Sequence, residues 1–134
     1  MGRVSRRAYG AQARRLFREL DGRRCAYCGV AVHRRGSTLD HVVPLSLGGV
    51  DAPWNLVTCC APCNASWGSI ASTRKADAAA VVFAGRLRRW RRLSPRDRAR
   101  VVARFGAPPD WSAEPEAELV SLRFGRGPVR EGAG

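Results

Sequence analysis

The hydrophobic positions near the N-terminus recur at the spacing of an amphipathic helix. From Ser5 to Leu20, one helical face collects the apolar side chains Tyr9, Ala13, Leu16, Phe17 and Leu20. Ser5 is a residue type that favours helix N-caps, and Asp21-Gly22 is typical of a helix end because glycine adopts the left-handed conformation at low cost. The pattern predicts a helix over residues 5–20.

The middle of the chain shows short β-branched runs separated by turn residues. The run Val30–Arg35 predicts a short strand, and Thr38–Val43, which is followed by Pro44, predicts a longer one. The pair Gly48-Gly49 permits a sharp reversal of the chain. After it, Leu56–Thr58 predicts the strand that returns alongside Thr38–Val43.

The second half of the chain is predicted to be helical. A helix beginning near Asn64 follows the return strand, and the alanine-rich stretch Ser72–Leu93 predicts a longer helix. The apolar positions that share one face of this longer helix are Ala76, Ala80, Phe83, Leu87 and Trp90. Ser94-Pro95 supplies an N-cap and a first helical residue for a further helix, which Gly106 ends.

The length of 134 residues indicates one domain, which we place at residues 1–107. Pro108-Pro109 marks its end, and residues 108–134 are predicted to form a loosely packed tail. This tail is rich in glycine near its end and contains an acidic patch made of Asp110, Glu114, Glu116 and Glu118. The core of so small a domain is marginal, so a metal that crosslinks the chain would contribute to folding.

The cysteines provide such a crosslink. Two Cys-x2-Cys pairs, Cys25/Cys28 and Cys60/Cys63, match the pattern of structural zinc, because tetrahedral zinc takes four soft ligands from two turns. An odd total of five cysteines argues against a disulfide framework. Cys59 is then the spare thiol, predicted to be a buried strand residue. Its Cys-x3-Cys spacing to Cys63 would also allow it to replace Cys60 as the ligand.

The residues in and between the cysteine pairs form a specific pattern. It consists of the segments CAYCG, LDHVVPLSLGG, WNLVTC and CAPCNAS in that order. Over residues 25–70 the chain resembles the zinc-binding subgroup of the HNH endonucleases. This resemblance implies an α+β fold, with a treble-clef-like, zinc-stapled ββα-metal core flanked by the Arg-rich helices of residues 5–20 and 72–105. It also implies hydrolysis of DNA phosphodiester bonds to 5′-phosphate and 3′-hydroxyl ends.

The Asp40-His41 pair carries the expected chemistry. An imidazole with its ordinary pKa near 6.5 can take a proton from water at neutral pH, and a carboxylate is a hard ligand for Mg²⁺ or Mn²⁺. The resemblance implies that Asn64 is the second ligand of that catalytic ion, and that Asn55 positions the His41 loop through backbone hydrogen bonds. Adjacent side chains of a regular strand point to opposite faces, so a centre shared by Asp40 and His41 requires an irregular backbone there.

Two positions depart from the pattern of the family. Its third signature residue is often His and is Asn64 here, and Trp67 stands where Lys is common. Trp67 removes a phosphate contact and is expected to pack on the core. A non-catalytic zinc module that binds DNA or RNA is therefore the alternative function. A protein-interaction module would leave the Asp-His pair and the charge of the chain unexplained.

The net charge of +13 predicts a polyanionic partner, DNA with RNA as the alternative. Of the 24 basic residues 23 are Arg, whose planar fork suits phosphate. Codon bias in a GC-rich genome would explain Arg in place of Lys, but not the excess of bases over acids. The predicted nucleic-acid-binding residues are Arg14, Arg15, Arg34, Arg35, Arg88, Arg89, Arg91 and Arg92.

The remaining features concern location and specificity. The N-terminus lacks the apolar stretch of a signal peptide, and the longest apolar run, Ala78–Ala84, is too short to cross a bilayer. With no disulfide framework, the sequence predicts a cytoplasmic protein without a membrane partner. No separate specificity domain is evident, which favours cutting of low sequence specificity or nicking. The oligomeric state is not predicted.

Overall fold

A computed structural model describes residues 10–108 of the chain. These residues form four α-helices and one two-stranded antiparallel sheet, which confirms the predicted α+β class. The elements in chain order are α1 (Ala11–Leu20), β1 (Ser37–His41), β2 (Leu56–Cys60), α2 (Ala61–Trp67), α3 (Thr73–Trp90) and α4 (Pro95–Phe105). Two short 3₁₀ turns, Leu45–Leu47 and Pro53–Asn55, lie in the connection between the strands.

The Asp-His pair forms the last two residues of β1, the first strand of the sheet. β1 and β2 pair in a continuous register that runs from Ser37 opposite Cys60 to His41 opposite Leu56. The predicted strands were displaced by a few residues: β1 ends at His41 instead of Val43, and β2 continues to Cys60 instead of Thr58. All five residues of β2 are buried, because helices cover the sheet. The strand predicted at Val30–Arg35 is wrong, since only an isolated bridge from Ala31 to Arg24 forms there.

The helix boundaries follow local capping chemistry. Gly10 has extended backbone and precedes the first helix, so this helix begins at Ala11, and the predicted N-cap Ser5 lies outside the described residues. The helix predicted near Asn64 begins earlier, at Ala61, directly after the sheet. The predicted cap at Ser94 is confirmed: its Oγ accepts a hydrogen bond from Asp97 N at 3.0 Å. Gly106, at φ 87°, ends α4 as predicted.

The buried face of α3 agrees only in part with the predicted one, in that Ala76, Phe83 and Trp90 are partly buried and pack against the core. Its buried residues are Lys75, Ala79, Val82, Gly85 and Arg86. The predicted positions Ala80 and Leu87 are exposed instead. The periodicity was misleading because two charged side chains take core positions, which no apolar pattern can indicate. Among the described residues, no helix is long and apolar enough to span a membrane.

Three small apolar clusters form the interior. The first joins α1, β2 and α4, and consists of Leu16, Phe17, Leu20, Leu56, Leu93 and Val101. The second joins the sheet and the loop after it to α3, and consists of Val42, Val43, Val57, Ala79 and Val82. The third surrounds the cysteines and contains Cys25, Val32, Cys59 and Cys60. No one cluster is large, so polar anchors between them contribute to the fold.

One such anchor is a buried ion pair between Asp21, just after α1, and Arg86 of α3. Arg86 Nε lies 2.7 Å from Asp21 Oδ1 and its Nη2 lies 3.1 Å from Oδ2. The same guanidinium donates to the carbonyl oxygens of Pro53 and Leu56 at 2.8 and 2.6 Å. Asp21 Oδ2 also accepts from Thr58 N at 2.8 Å. The pair therefore fastens both helices to the start of β2.

Candidate zinc centre and candidate active site

The four predicted zinc ligands meet at one point. The Sγ atoms of Cys25, Cys28, Cys60 and Cys63 all lie within 4.8 Å of one another, and those of Cys28 and Cys60 are 3.8 Å apart. Four thiolates at the Zn–S distance of about 2.3 Å form a tetrahedron with edges of about 3.8 Å, so the donor set fits a zinc ion. Cys25 and Cys28 come from the turn before β1, and Cys60 and Cys63 from the junction of β2 with α2.

Hydrogen bonds within the turn of Cys25 and Cys28 favour the thiolate form of Cys25. Backbone N–H groups of Tyr27 and Cys28 donate to Cys25 Sγ at 3.3 and 3.4 Å. Burial raises the pKa of Cys25, but these and a further backbone hydrogen bond outweigh it and lower the pKa to about 7. Gly29, at φ 77°, closes the turn in the left-handed conformation. The local sequence thus favours the ionised sulfur that zinc requires.

Cys59 lies outside this cluster. It is buried, and its Sγ contacts Thr38 Oγ1 at 3.3 Å across the sheet. Successive side chains of a strand point to opposite faces, so the step from Cys59 to Cys60 decides which thiol reaches the other cysteines. Cys60 is the zinc ligand candidate and Cys59 is the buried strand residue, as predicted, which excludes the Cys-x3-Cys alternative.

His41 ends β1 and faces an acidic partner on the following loop. Its Nε2 lies 2.7 Å from Asp51 Oδ1, and both side chains are partly accessible, at 15% and 37%. A carboxylate only accepts hydrogen bonds, so Nε2 carries the proton and Nδ1 is the basic atom of the neutral ring. This is the arrangement of an imidazole held in one tautomer by a carboxylate, as a general base requires.

Asn55 holds the loop between His41 and Asp51. Its buried side chain accepts from Val43 N at 2.8 Å and donates to Val43 O at 3.0 Å and Val50 O at 2.8 Å. The family resemblance implies backbone hydrogen bonds of this kind for Asn55. Gly49 allows the chain to pass close to Asn55 and Val43, since a Cβ at this position would lie 1.8 Å from Val43 O and 2.9 Å from Asn55 Nδ2.

Asp40 points away from His41 into the protein. Tyr27 Oη donates to Asp40 Oδ2 at 2.6 Å, and Lys75 Nζ lies 3.0 Å from the same oxygen. The Asp40 side chain is 4% exposed and the Lys75 side chain is fully buried. Burial lowers the pKa of Lys75, and the charge of Asp40 opposes this effect. Burial, together with the charge of Asp40, raises the pKa of Tyr27, so its hydroxyl stays a donor. The strand is regular at Asp40-His41, and the two side chains do not share a centre.

Residues 25–74 match the family model of the HNH endonucleases. The match covers 50 of the 134 residues and confirms, for this segment, the resemblance to HNH endonucleases that the sequence indicated. The chain is also similar to the type II-C Cas9 enzyme from Actinomyces naeslundii, with 28% identity and a TM-score of 0.47. That similarity covers 56% of this chain and 9% of the Cas9 chain, so the chain spans a small part of that enzyme. No curated protein matches the sequence.

The third signature residue of the HNH segment, Asn64, lies on α2, which packs against both strands. It is half-buried, and a Cβ added at Gly68 would lie 3.2 Å from its Oδ1. Trp67 ends the same helix. Its ring centroid lies 6.2 Å from that of Tyr27, and the Arg74 guanidinium stands 5.5 Å above it. Trp67 therefore packs on the core residue that also binds Asp40.

Of the eight arginines predicted to bind nucleic acid, Arg14 is half-buried and the other seven divide into two sets. Arg34, Arg35, Arg88, Arg91 and Arg92 are exposed. Two others have protein partners: Arg15 binds Asp97 at 3.0 and 3.3 Å, and Arg89 donates to Leu20 O at 3.0 Å. Burial lowers the pKa of Arg89. The exposed set has guanidinium groups that could reach phosphates without giving up these contacts.

Two basic concavities lie outside the His41 loop. A pocket of about 200 Å³ lies on α1. Arg34, from the turn before β1, lines this pocket together with Arg14, Arg15 and Arg18. A larger cleft, of about 910 Å³, lies between the first cysteine turn and α3. Four arginines from two parts of the chain, Arg23, Arg24, Arg89 and Arg92, line that cleft together with Glu19 and Asp21. The structure thus brings together Arg14, Arg15 and Arg34, which are distant in sequence.

Sequence reasoning missed three side chains that contact Asp40 or His41. Asp51 was not assigned a role, because nothing in its neighbours indicates a partner for a histidine ten residues earlier. Tyr27 and Lys75 were also missed. Lys75 had one available signal: it is the sole lysine among 24 basic residues.

Proposed function

We propose that the chain is an endonuclease that hydrolyses DNA phosphodiester bonds with His41 as general base. The observation that carries this proposal is the contact of 2.7 Å between His41 Nε2 and Asp51 Oδ1, in a segment of the HNH family. The net charge of +13 supports a polyanionic substrate. DNA is the substrate we favour, and RNA is the alternative.

The reaction follows from the tautomer of His41. Nδ1 takes a proton from water, and the water oxygen forms a bond to phosphorus as the P–O3′ bond breaks. The leaving 3′-oxygen gains a proton from solvent, which gives 5′-phosphate and 3′-hydroxyl ends. Asp51 stabilises the imidazolium that forms, and Asn55 keeps the loop in place during this step.

The zinc ion fits the four cysteines and would have a structural role in this enzyme. When bound, zinc would crosslink the turn before β1 to the junction of β2 with α2, at the end of the sheet opposite His41. All four donors are protein thiolates, so no position is left for substrate.

A catalytic Mg²⁺ or Mn²⁺ on Asp40 and Asn64, which the family resemblance implies, does not fit the residues as they are placed. Asp40 Oδ2 already binds Tyr27 Oη and Lys75 Nζ, and the side chain is buried. An ion at Asp40 Oδ2 therefore has no part in the proposed reaction. Asn64 remains a candidate ligand only by its position in the family pattern.

The decisive test is nicking of supercoiled plasmid by zinc-loaded protein with and without Mg²⁺ or Mn²⁺. His41→Ala should lower the rate by about 10²- to 10⁴-fold, the usual contribution of a positioned general base, while DNA affinity stays within about twofold. His33→Ala is the matched control, because His33 is the other histidine of the chain and is exposed. Cleavage by His41→Ala at the wild-type rate would refute the proposal.

A non-catalytic zinc module is the second candidate, and the engagement of Asp40 by Lys75 is the observation that favours it. Such a module would bind DNA or RNA with the same salt dependence but would not cut either. Absence of nicking at any divalent ion concentration, with one zinc per chain and intact DNA binding, would establish it. Plasmid topology and end-labelled products would also show whether a nuclease nicks or cuts both strands.

A further inference from the structure

Lys75 is an unusual residue in this chain. It is the sole lysine among 24 basic residues, and its side chain is fully buried. A buried charge is costly unless it is paired and hydrogen-bonded on all sides. The surroundings of its ammonium group must therefore offset that cost.

Four oxygens surround Lys75 Nζ. Asp40 Oδ2 lies at 3.0 Å, Trp67 O at 2.9 Å, Ile70 O at 3.1 Å and His41 O at 3.2 Å. One is a carboxylate and three are backbone carbonyls, which is the kind of oxygen set that also binds hard cations. The Tyr27 ring lies on a further side, with its centroid 5.8 Å from Nζ.

The shape of this site explains why a lysine occupies it. An ammonium is a compact charge with three donors that can turn toward separate oxygens, whereas a guanidinium presents a flat fork suited to one planar partner. The four oxygens come from the end of β1, the end of α2 and the turn that follows it, so they do not form one plane with a single carboxylate. Arginine, which supplies 23 of the 24 basic residues, is the wrong shape here.

The position of the site links it to His41. The carbonyl that Lys75 binds belongs to His41 itself, so Nζ fixes the backbone of the proposed base at the point where β1 ends. Asp40, the neighbouring residue, supplies the negative charge. The ammonium thus lies at the end of the strand, where the family resemblance implies a divalent ion.

We propose that the ammonium of Lys75 is the resident cation of the HNH centre in this chain. Lys75 is a positioning residue that holds the His41 backbone, and Asp40 is its counter-ion and not a ligand of a divalent metal. A divalent ion needs Asp40 oxygens at about 2.0–2.6 Å, so it cannot use Asp40 Oδ2 while Lys75 is in place. The inference deepens the proposed function, since it concerns the same centre.

Mn²⁺ binding to zinc-loaded protein without DNA tests the inference independently of nuclease activity. Electron paramagnetic resonance of Mn²⁺ would be compared for the wild type, Lys75→Ala and the double variant Lys75→Ala/Asp40→Asn. Alanine leaves room for an ion and its water among the vacated oxygens. Lys75→Ala should bind Mn²⁺ at least about 10-fold more tightly than the wild type, the factor that corresponds to one charge-assisted hydrogen bond. The double variant should lose that gain, because it lacks the carboxylate.

Asp40→Asn alone is the second variant, and it decides the question if Lys75→Ala does not retain its zinc. It keeps the ammonium, so Mn²⁺ binding should equal that of the wild type. Loss of a wild-type Mn²⁺ site in Asp40→Asn would overturn the inference, because Asp40 would then ligate the metal beside Lys75. Failure of a folded Lys75→Ala variant to gain Mn²⁺ would also overturn it. Neither result depends on whether the protein cuts DNA, so nicking assays judge the proposed function separately.

Discussion

Replacement of Arg86 by methionine should lower the free energy of unfolding of this domain more than any single substitution of an exposed arginine. Arg86 Nε and Nη2 bind Asp21, and its two Nη groups bind the carbonyls of Pro53 and Leu56. Its guanidinium also lies 5.2 Å from the Phe17 ring and 4.7 Å from the Phe83 ring. Methionine would keep much of the apolar contact but none of the hydrogen bonds.

The size of this destabilisation follows from the buried carboxylate of Asp21, which remains in the variant. Asp21 would remain charged and buried beside the Thr58 N–H but without its counter-ion, and breaking a buried pair in this way costs about 3–5 kcal/mol. Domains of this size have about 5–15 kcal/mol of stability in total, so the loss would be a large part of it. In the double variant Asp21→Asn/Arg86→Met no unpaired charge remains. Part of the lost stability should therefore return.

Urea unfolding of zinc-loaded protein, followed by tryptophan fluorescence, measures this free energy. Arg88→Met is the matched control, because Arg88 is exposed on the same helix, and its effect should stay within about 0.5 kcal/mol. The reasoning would be refuted if Arg86→Met cost less than about 1 kcal/mol with zinc content unchanged, since a satisfied buried pair cannot be removed so cheaply.

Two further predictions concern the zinc centre and the basic surface. Cys60→Ser should lose bound zinc, and with it the cooperative unfolding transition, whereas Cys59→Ser should keep one zinc per chain by metal analysis, since its sulfur faces Thr38. Replacing the exposed Arg88 and Arg92 together by glutamine should reduce the slope of log affinity for DNA against log salt concentration by about 0.9 for each phosphate that the variant no longer neutralises. An unchanged slope would place both arginines away from the DNA.

The zinc centre could be predicted from the sequence because its signals are local. Each Cys-x2-Cys pair forms one turn, and only the meeting of the two turns requires the fold. The cap of α4 at Ser94 was predictable for the same reason, since the cap and the N–H it binds lie three residues apart. The proposed domain boundary at residue 107 stays a prediction, and the tail of residues 109–134 lies outside the described residues.

The buried ion pairs could not be predicted because their partners are distant in sequence. Asp21 and Arg86 are separated by 65 residues, and Lys75 and the His41 carbonyl by 34. In the sequence both basic residues lie in a helix rich in arginine and alanine, where a charged side chain is expected to be exposed to solvent. Composition therefore missed two members of the buried face of α3, Lys75 and Arg86, which are 1% and 3% exposed.

These anchors also bear on how a small domain can hold the proposed general base, His41, in one geometry. Polar groups hold the loop after β1: Lys75 binds the carbonyl of His41, and Asn55 binds Val43 and Val50. Asp51, next along the chain, returns to the ring of His41. Three side chains thus fix the His41 backbone, the loop and the imidazole. They are Lys75 of α3, Asn55 directly before β2, and Asp51 of the loop itself. Catalytic groups act best when they need no rearrangement during the reaction. A loss of order in this loop should therefore lower the turnover rate more than DNA affinity, which depends on arginines elsewhere.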